Sequence, residues 1–193
     1  MRNVAYTIWL FILYILYSLG SIWAQEKDYH TVFRIQITIT EDPDSFNFIP
    51  DLNHLGFVRL YPLERGPMEE KSPVRVLLGP YLGANTADFV LQKVWEKGYT
   101  EARLIKDDFS LLSGEGTELT HTIQVGAFKR PYLNKYQDIS TIPAHGMFIV
   151  YEEGLFKIFS GLYTSQEESY LRNSVLPYFR EEHGLYGFIR KLR

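Results

Sequence analysis

"HTIQVGAF", His121–Phe128, sets a glutamine inside an alternation of apolar residues, and eighty-eight positions earlier "FRIQITIT", Phe33–Thr40, sets another at the same point. Downstream of each lies a second related phrase, "RVLLGPY" after the first and "KIFSGLY" after the second. Apolar alternation with period two is the pattern of a strand with one buried face. A phrase repeated in order and at similar spacing outranks any single motif, because it fixes the architecture.

In the second half, the alternation predicts Ile123, Val125 and Ala127 on one side of the strand and Gln124, Gly126 and Phe128 on the other. "KRPYLNKYQDI" reads as a short helix or turn. "GMFIVYEEGLFKIFSGLY" reads as two strands joined at Glu152-Glu153-Gly154, where the glycine accepts positive φ and makes a hairpin. "TSQEESYLRNSVLPYFREEHG" is expected to be a helix with a Ser165/Glu168 capping box, a break at Pro177 and a C-terminal cap at Gly184. "LYGFIRKL" closes as a strand.

The first half gives the same β-α-β-β-α-β order. "VFRIQITIT" is a strand, "DPDSFNFIPDL" a short helical turn, and "GFVRLYP" and "VRVLLGPY" are strands around the loop "LERGPMEEKSP". "TADFVLQKVWEKG" is a helix, capped by Thr86, striped by Ala87, Val90, Leu91, Val94 and Trp95, and stopped at Gly98. "YTEARLI" is the last strand, and "DDFSLLSGEGTEL" has a linker's composition. The predicted fold class is α+β: two tandem units, 31–106 and 121–193, joined by a linker at 107–120. Each would be a four-stranded antiparallel sheet of the ferredoxin-like kind, with both helices on one face and the other face open.

Length and composition bound this reading. The 193 residues suffice for one domain or two small ones. With no cysteine, the chain has no disulfide framework, thiolate metal site or cysteine nucleophile. The N-terminus, "MRNVAYTIWLFILYILYSLGSIWAQ", has one early arginine, an apolar run and Ala24 before a polar stretch, the layout of a signal peptide over 1–24. The run is also long enough for an uncleaved anchor. Only about seven residues, roughly 25 Å at full stretch, would then separate membrane from fold, so cleavage is the favoured reading. Either way the folded part is expected outside the cytoplasm, exported to the periplasm or envelope. The formal charge is −3, which argues against nucleic acid as a partner. The "RKLR" end, Arg190–Arg193, reads as a solvated terminus.

These phrases resemble the sporulation-related repeat, or SPOR domain, whose pattern is a first strand V-Q-[VI]-G-[AS]-F and a third strand Y-R-V-x-[VI]-G-P-F before a helix. The second copy keeps the first-strand phrase, with Ser160 and Leu162 departing at the third. The first copy keeps "VRVLLGPY" but has Thr38 and Ile39 in place of the glycine and small residue. The resemblance implies a non-catalytic envelope module that binds peptidoglycan glycan strands, preferentially those lacking stem peptides, on the open sheet face, in a process such as cell division. Carried over, the glycan-binding residues would be Gln124, Gly126, Phe128, Lys157, Phe159 and Tyr163 in the second copy. In the first they would be Gln36, Arg75, Leu77 and Tyr81. Gly126 would let a sugar approach the backbone, so the second copy is the expected binder. No cofactor and no metal are implied.

Each residue also has a plainer reading. Phe128 and Tyr163 suit core positions, and Gly79 and Gly161 suit the turn into the helix. His30, His54, His121, His145 and His183 form no metal motif, and no G-x-S-x-G elbow is present. Glu152 and Glu153 are expected to point apart and stay solvated at the hairpin tip, unlike a glycosidase pair. "DPDSFN" lacks the glycine and final glutamate of a calcium loop. The rival to a glycan reader is a periplasmic protein-interaction or scaffold module that keeps the fold without binding glycan.

Overall fold

A computed structural model describes residues 31–42, 51–63, 73–107, 119–131, 133–136 and 146–192. The expected leader, most of the "DPDSFNFIPDL" turn, the first-half hairpin loop and nearly all of the linker lie outside the described residues. The elements run β1 (Val32–Thr40), β2 (Val58–Pro62), β3 (Val74–Leu82), α1 (Ala84–Glu96) and β4 (Arg103–Asp107) in the first half. In the second half they run β5 (His121–Phe128), a 3₁₀ turn (Leu133–Tyr136), β6 (Met147–Glu152) and β7 (Leu155–Tyr163). A helical stretch then passes through α2 (Glu168–Tyr170), a π segment (Leu171–Val175) and α3 (Leu176–His183) before β8 (Phe188–Lys191).

The fold is α+β, as expected, but the sheet is single. Its eight strands lie in the order β4-β1-β3-β6-β7-β5-β8, with β2 also pairing β3. Within each half the pairs are antiparallel; the halves meet where β3 runs parallel to β6, Tyr81 opposite Ile149. The expectation of two self-contained sheets is therefore corrected to one open sheet. The seam is reinforced from α1. The Phe89 ring stacks on Tyr151 with centroids 3.8 Å apart, and the Tyr151 N–H donates to Thr86 Oγ1 at 3.1 Å. Thr86 thus joins the halves, while the helix N-cap is Gly83 at φ 84° with no side-chain cap.

Several local expectations shift by a residue or two. The capping box is Thr164 with Glu167, one residue earlier than expected. Pro177 lies in a helical run that continues directly from the π segment, whose wider turn accommodates the proline without ending the helix. The hairpin at Glu153-Gly154 has positive φ at both residues, the mirror-image turn that matches strand twist. Gly184 ends α3 in the left-handed conformation, as expected. Trp95 lies largely exposed, off the buried stripe, with its indole N–H donating to Ala102 O at 2.9 Å.

The two sheet faces are distinguished by their cores. One cluster gathers Ile35, Val76, Leu78, Ile123, Met147, Ile149, Phe156 and Ile158 with helix residues Val90, Val94, Leu171 and Phe179 from both halves. A smaller cluster of Val32, Leu82, Phe148, Val150, Phe159 and Leu192 contains no helix residue. Strand alternation assigns these two clusters to opposite faces. Among the described residues no helix is long and apolar enough to cross a membrane.

Candidate functional site

The glutamine strands bend in the same way. Pairing of β1 with β3 slips between Phe33 and Ile35 and again between Gln36 and Thr38. Pairing of β5 with β7 slips between His121 and Ile123 and between Gln124 and Gly126. Each pair of irregularities is separated by the same eighty-eight positions as the sequence phrases. A bulge adds one residue to a strand and reverses which face the following side chains take. This overturns the simple alternation read from the sequence. Gln124 faces the helix-free side opposite Phe159, whereas Gly126 pairs with the core residue Ile158 and so returns to the helix side.

Gly126 and Phe128 therefore leave the candidate site. The Phe128 ring folds back over Gly126, where an added Cβ would strike it, and packs toward Tyr136 with centroids 6.3 Å apart. The space reserved in the sequence reading for a sugar is occupied by the protein's own ring. Tyr81 and Tyr163 also belong to the core. Each lies back against the glycine two residues before it, Gly79 at φ 127° and Gly161 at φ 67°. The Tyr81 hydroxyl donates to Leu55 O at 3.2 Å. Burial pushes both phenols upward in pKa; for Tyr163 the nearby Tyr170 and Glu167 add to it.

What remains of the second-half set is a sealed cluster. Glu152 Oε2 accepts from Lys157 Nζ at 2.8 Å and from the Arg190 guanidinium at 2.6 Å. Arg190 also donates to Gln124 Oε1 at 2.9 Å and lies 5.2 Å over the Phe159 ring. To do so it reaches from β8 across β5 and β7. Lys157 has a second bond to Glu153 Oε2 at 2.8 Å. Phe159 is fully buried, and the Glu152 and Lys157 side chains are each only 7 % exposed. Burial alone would lower the pKa of Lys157; the bonds to Glu152 and Glu153 outweigh it and hold the ammonium above its ordinary range. The expectation of a solvated Glu152 thus fails, because β8 brings a second cation over it. Arg190 is no solvated tail either.

The first half presents the same positions with different contents. Gln36 faces Leu77 on β3 and Arg103 on β4, and Leu77 in turn faces Arg59 on β2. Arg75, two residues from Leu77, faces Tyr61. Arg34 stretches over this face, its Nε 2.6 Å from Asp107 Oδ2 and its Nη1 donating to the Tyr61 hydroxyl at 2.9 Å. Gln36 is only 8 % exposed, yet among the described residues its Oε1 has no hydrogen-bond partner, and neither does the Nε of Arg75. Buried polar atoms are paired in the great majority of cases, so two orphans on one face mark it as incomplete.

Sequence reasoning missed Arg34, Arg59, Arg103, Glu152 and Arg190. For Arg190 the signal was present: alternation along β8 puts it with Phe188, the register partner of Gln124. Among the described residues no group of three or more His, Asp and Glu side chains is placed to hold a metal ion. No protein-family model matches the chain, and no curated protein sequence matches it.

Proposed function

We propose that the chain is an exported, non-catalytic envelope module made of two divergent β-α-β-β-α-β copies resembling the SPOR repeat, with glycan strands of peptidoglycan, preferentially free of stem peptides, as its ligand. The support for duplication is the recurrence of both bulges at one sequence offset. The observation that carries the binding reading is the contrast between equivalent glutamines. The Gln124 amide oxygen accepts from Arg190, whereas among the described residues Gln36 keeps an unpaired amide oxygen on the face that also carries the unpaired Nε of Arg75. The proposed binding face is that of the first half, with Gln36, Arg75, Leu77, Arg103 and the exposed Tyr61 about the sugar. Tyr61, exposed beside the buried Leu77, offers apolar surface to C–H faces, and the glutamine offers an amide to hydroxyl or N-acetyl groups.

A second reading has its own support. Gln124, Lys157 and Phe159 are already engaged within the protein, so the second half suits a structural or protein-interaction role. The test is retention of the purified chain on peptidoglycan before and after amidase removal of stem peptides, with Gln36→Ala and Gln124→Ala alongside. The glycan reading expects stronger retention on stripped glycan, lost in Gln36→Ala and kept in Gln124→Ala. Absence of retention on both forms would discard it in favour of a protein partner.

A further inference from the structure

We infer that the first-half face recognises the negative charge of its ligand, a carboxylate-bearing sugar, and not the sugar ring alone; this rests on the glycan reading above. Four arginines, Arg34, Arg59, Arg75 and Arg103, occupy neighbouring register positions on the helix-free face of β1 to β4. Their placement on one side is fixed by their neighbours: Phe33, Ile35, Val58, Leu60, Val76 and Leu104 all pack into or against the helix-side core. Arg34 is bound to Asp107 and Arg59 has a partner of its own, which leaves Arg75 and Arg103 as the positions for an incoming anion. The whole chain has a net charge of −3, so this concentration of positive charge runs against the protein's own sign. A face of one sign beside low-dielectric walls draws ligands of the opposite sign.

The two orphaned atoms narrow the chemistry. Arg75 Nε is a donor and requires an acceptor, and Gln36 Oε1 is an acceptor and requires a donor. A ligand that satisfies both brings an anionic oxygen and, close to it, an O–H or N–H group. A sugar acid has this combination. Amide hydrolysis that removes a stem peptide leaves a carboxylate on the sugar's acidic side chain, next to hydroxyl and acetamido groups. The charge exposed by stripping is thus of the kind that guanidinium groups bind in a fork, with bonds stronger than those between neutral partners.

The experiment measures affinity of the purified chain for soluble stripped glycan oligomers and for the same oligomers with their carboxylates reduced to alcohols, at low and high salt. The variants are Arg75→Gln, the exposed edge-strand variant Arg103→Gln, and Lys106→Gln. Lys106 lies on the same strand as Arg103 but faces the other side, opposite Phe33. The expected result is that reduction weakens binding about ten-fold or more, as for loss of a charged hydrogen bond. The two arginine variants should bind acid and alcohol forms alike, Lys106→Gln should behave as the parent, and salt should weaken only the acid form. Equal binding of both oligomers by the parent would overturn the charge inference and leave the glycan reading standing. Binding of neither would remove the glycan reading itself, and this inference with it.

Discussion

Replacing Lys157 by methionine tests whether the Glu152 cluster holds the last strand in place. Methionine keeps most of the stem's packing volume and removes the ammonium. Glu152 then keeps one cation of two, Arg190 at 2.6 Å, in a position where its side chain is 7 % exposed. Breaking a buried ion pair from one side costs about 3–5 kcal/mol. The surviving Arg190 contact and the relief of desolvating Lys157 place this variant toward or below the lower end, about 2–3 kcal/mol. For a chain of this size that corresponds to roughly 4–12 °C in the midpoint of thermal unfolding. The assay is a double-mutant cycle by chemical denaturation with Lys157→Met, Glu152→Gln and the pair. The pair should be more stable than the sum of the singles predicts by about 1–3 kcal/mol, because each removes the other's unpaired charge. The pH dependence has a definite sign. A lysine raised in the folded state contributes its full stability below its ordinary value of 10.5 and loses it as pH rises through the folded value. The gap between parent and Lys157→Met should therefore close in strong alkali. A single variant within about 0.5 kcal/mol of the parent, or strict additivity in the pair, would refute the reasoning.

Further outcomes follow from the core and the β6–β7 hairpin. Burial raises the pKa of Tyr81, Tyr136 and Tyr163, so in an alkaline titration of tyrosinate absorbance these should lag behind the exposed tyrosines until the protein unfolds. Because the folded state holds those protons longer, stability should fall as pH rises above the ordinary phenol value of 10; early, complete titration without unfolding would contradict the burial. Gly126→Ala must displace the Phe128 ring and should cost about 1–3 kcal/mol by overpacking, measured by denaturation. Gly154→Ala, at φ 76° with nothing within 4 Å, should cost about 1–2 kcal/mol from backbone conformation alone. If Phe128→Ala did not relieve the cost at Gly126, the ring would not be its cause.

Much of the architecture was legible because it is local. The alternation of β7, the Glu153-Gly154 turn and the stripe of α1 are written in neighbouring residues. The repeated phrases were legible, and the two register slips in β1 and β5 follow their order. What local reading missed depends on one-residue offsets and distant partners. The glycine in "VGAF" was itself a bulge signal, since glycine inside a strand weakens regular pairing. Treated as part of a plain alternation, it put Gly126 and Phe128 on the wrong face. The β3–β6 seam and the reach of Arg190 to Glu152 join residues far apart in sequence, and nothing near either residue announces its partner. The candidate site moved for the same reason. Gln36 and Gln124 read alike in sequence, and they differ in the structure through an arginine sixty-six residues after one of them.

The seam between β3 and β6 also changes how the protein meets other copies of itself. A sheet edge offers unpaired backbone groups to any other strand, and two separate four-stranded sheets would carry four such edges. Joining β6 to β3 covers part of one edge with another. The strands left at the margins are short: β2 and β4 have five residues each, and β8 has four. They also carry residues that discourage pairing, Arg59 and Pro62 on β2, Arg103 and Lys106 on β4, and Arg190 and Lys191 on β8. A chain so rich in β-structure and aromatic side chains is thereby protected against stacking strand to strand into aggregates as it crowds.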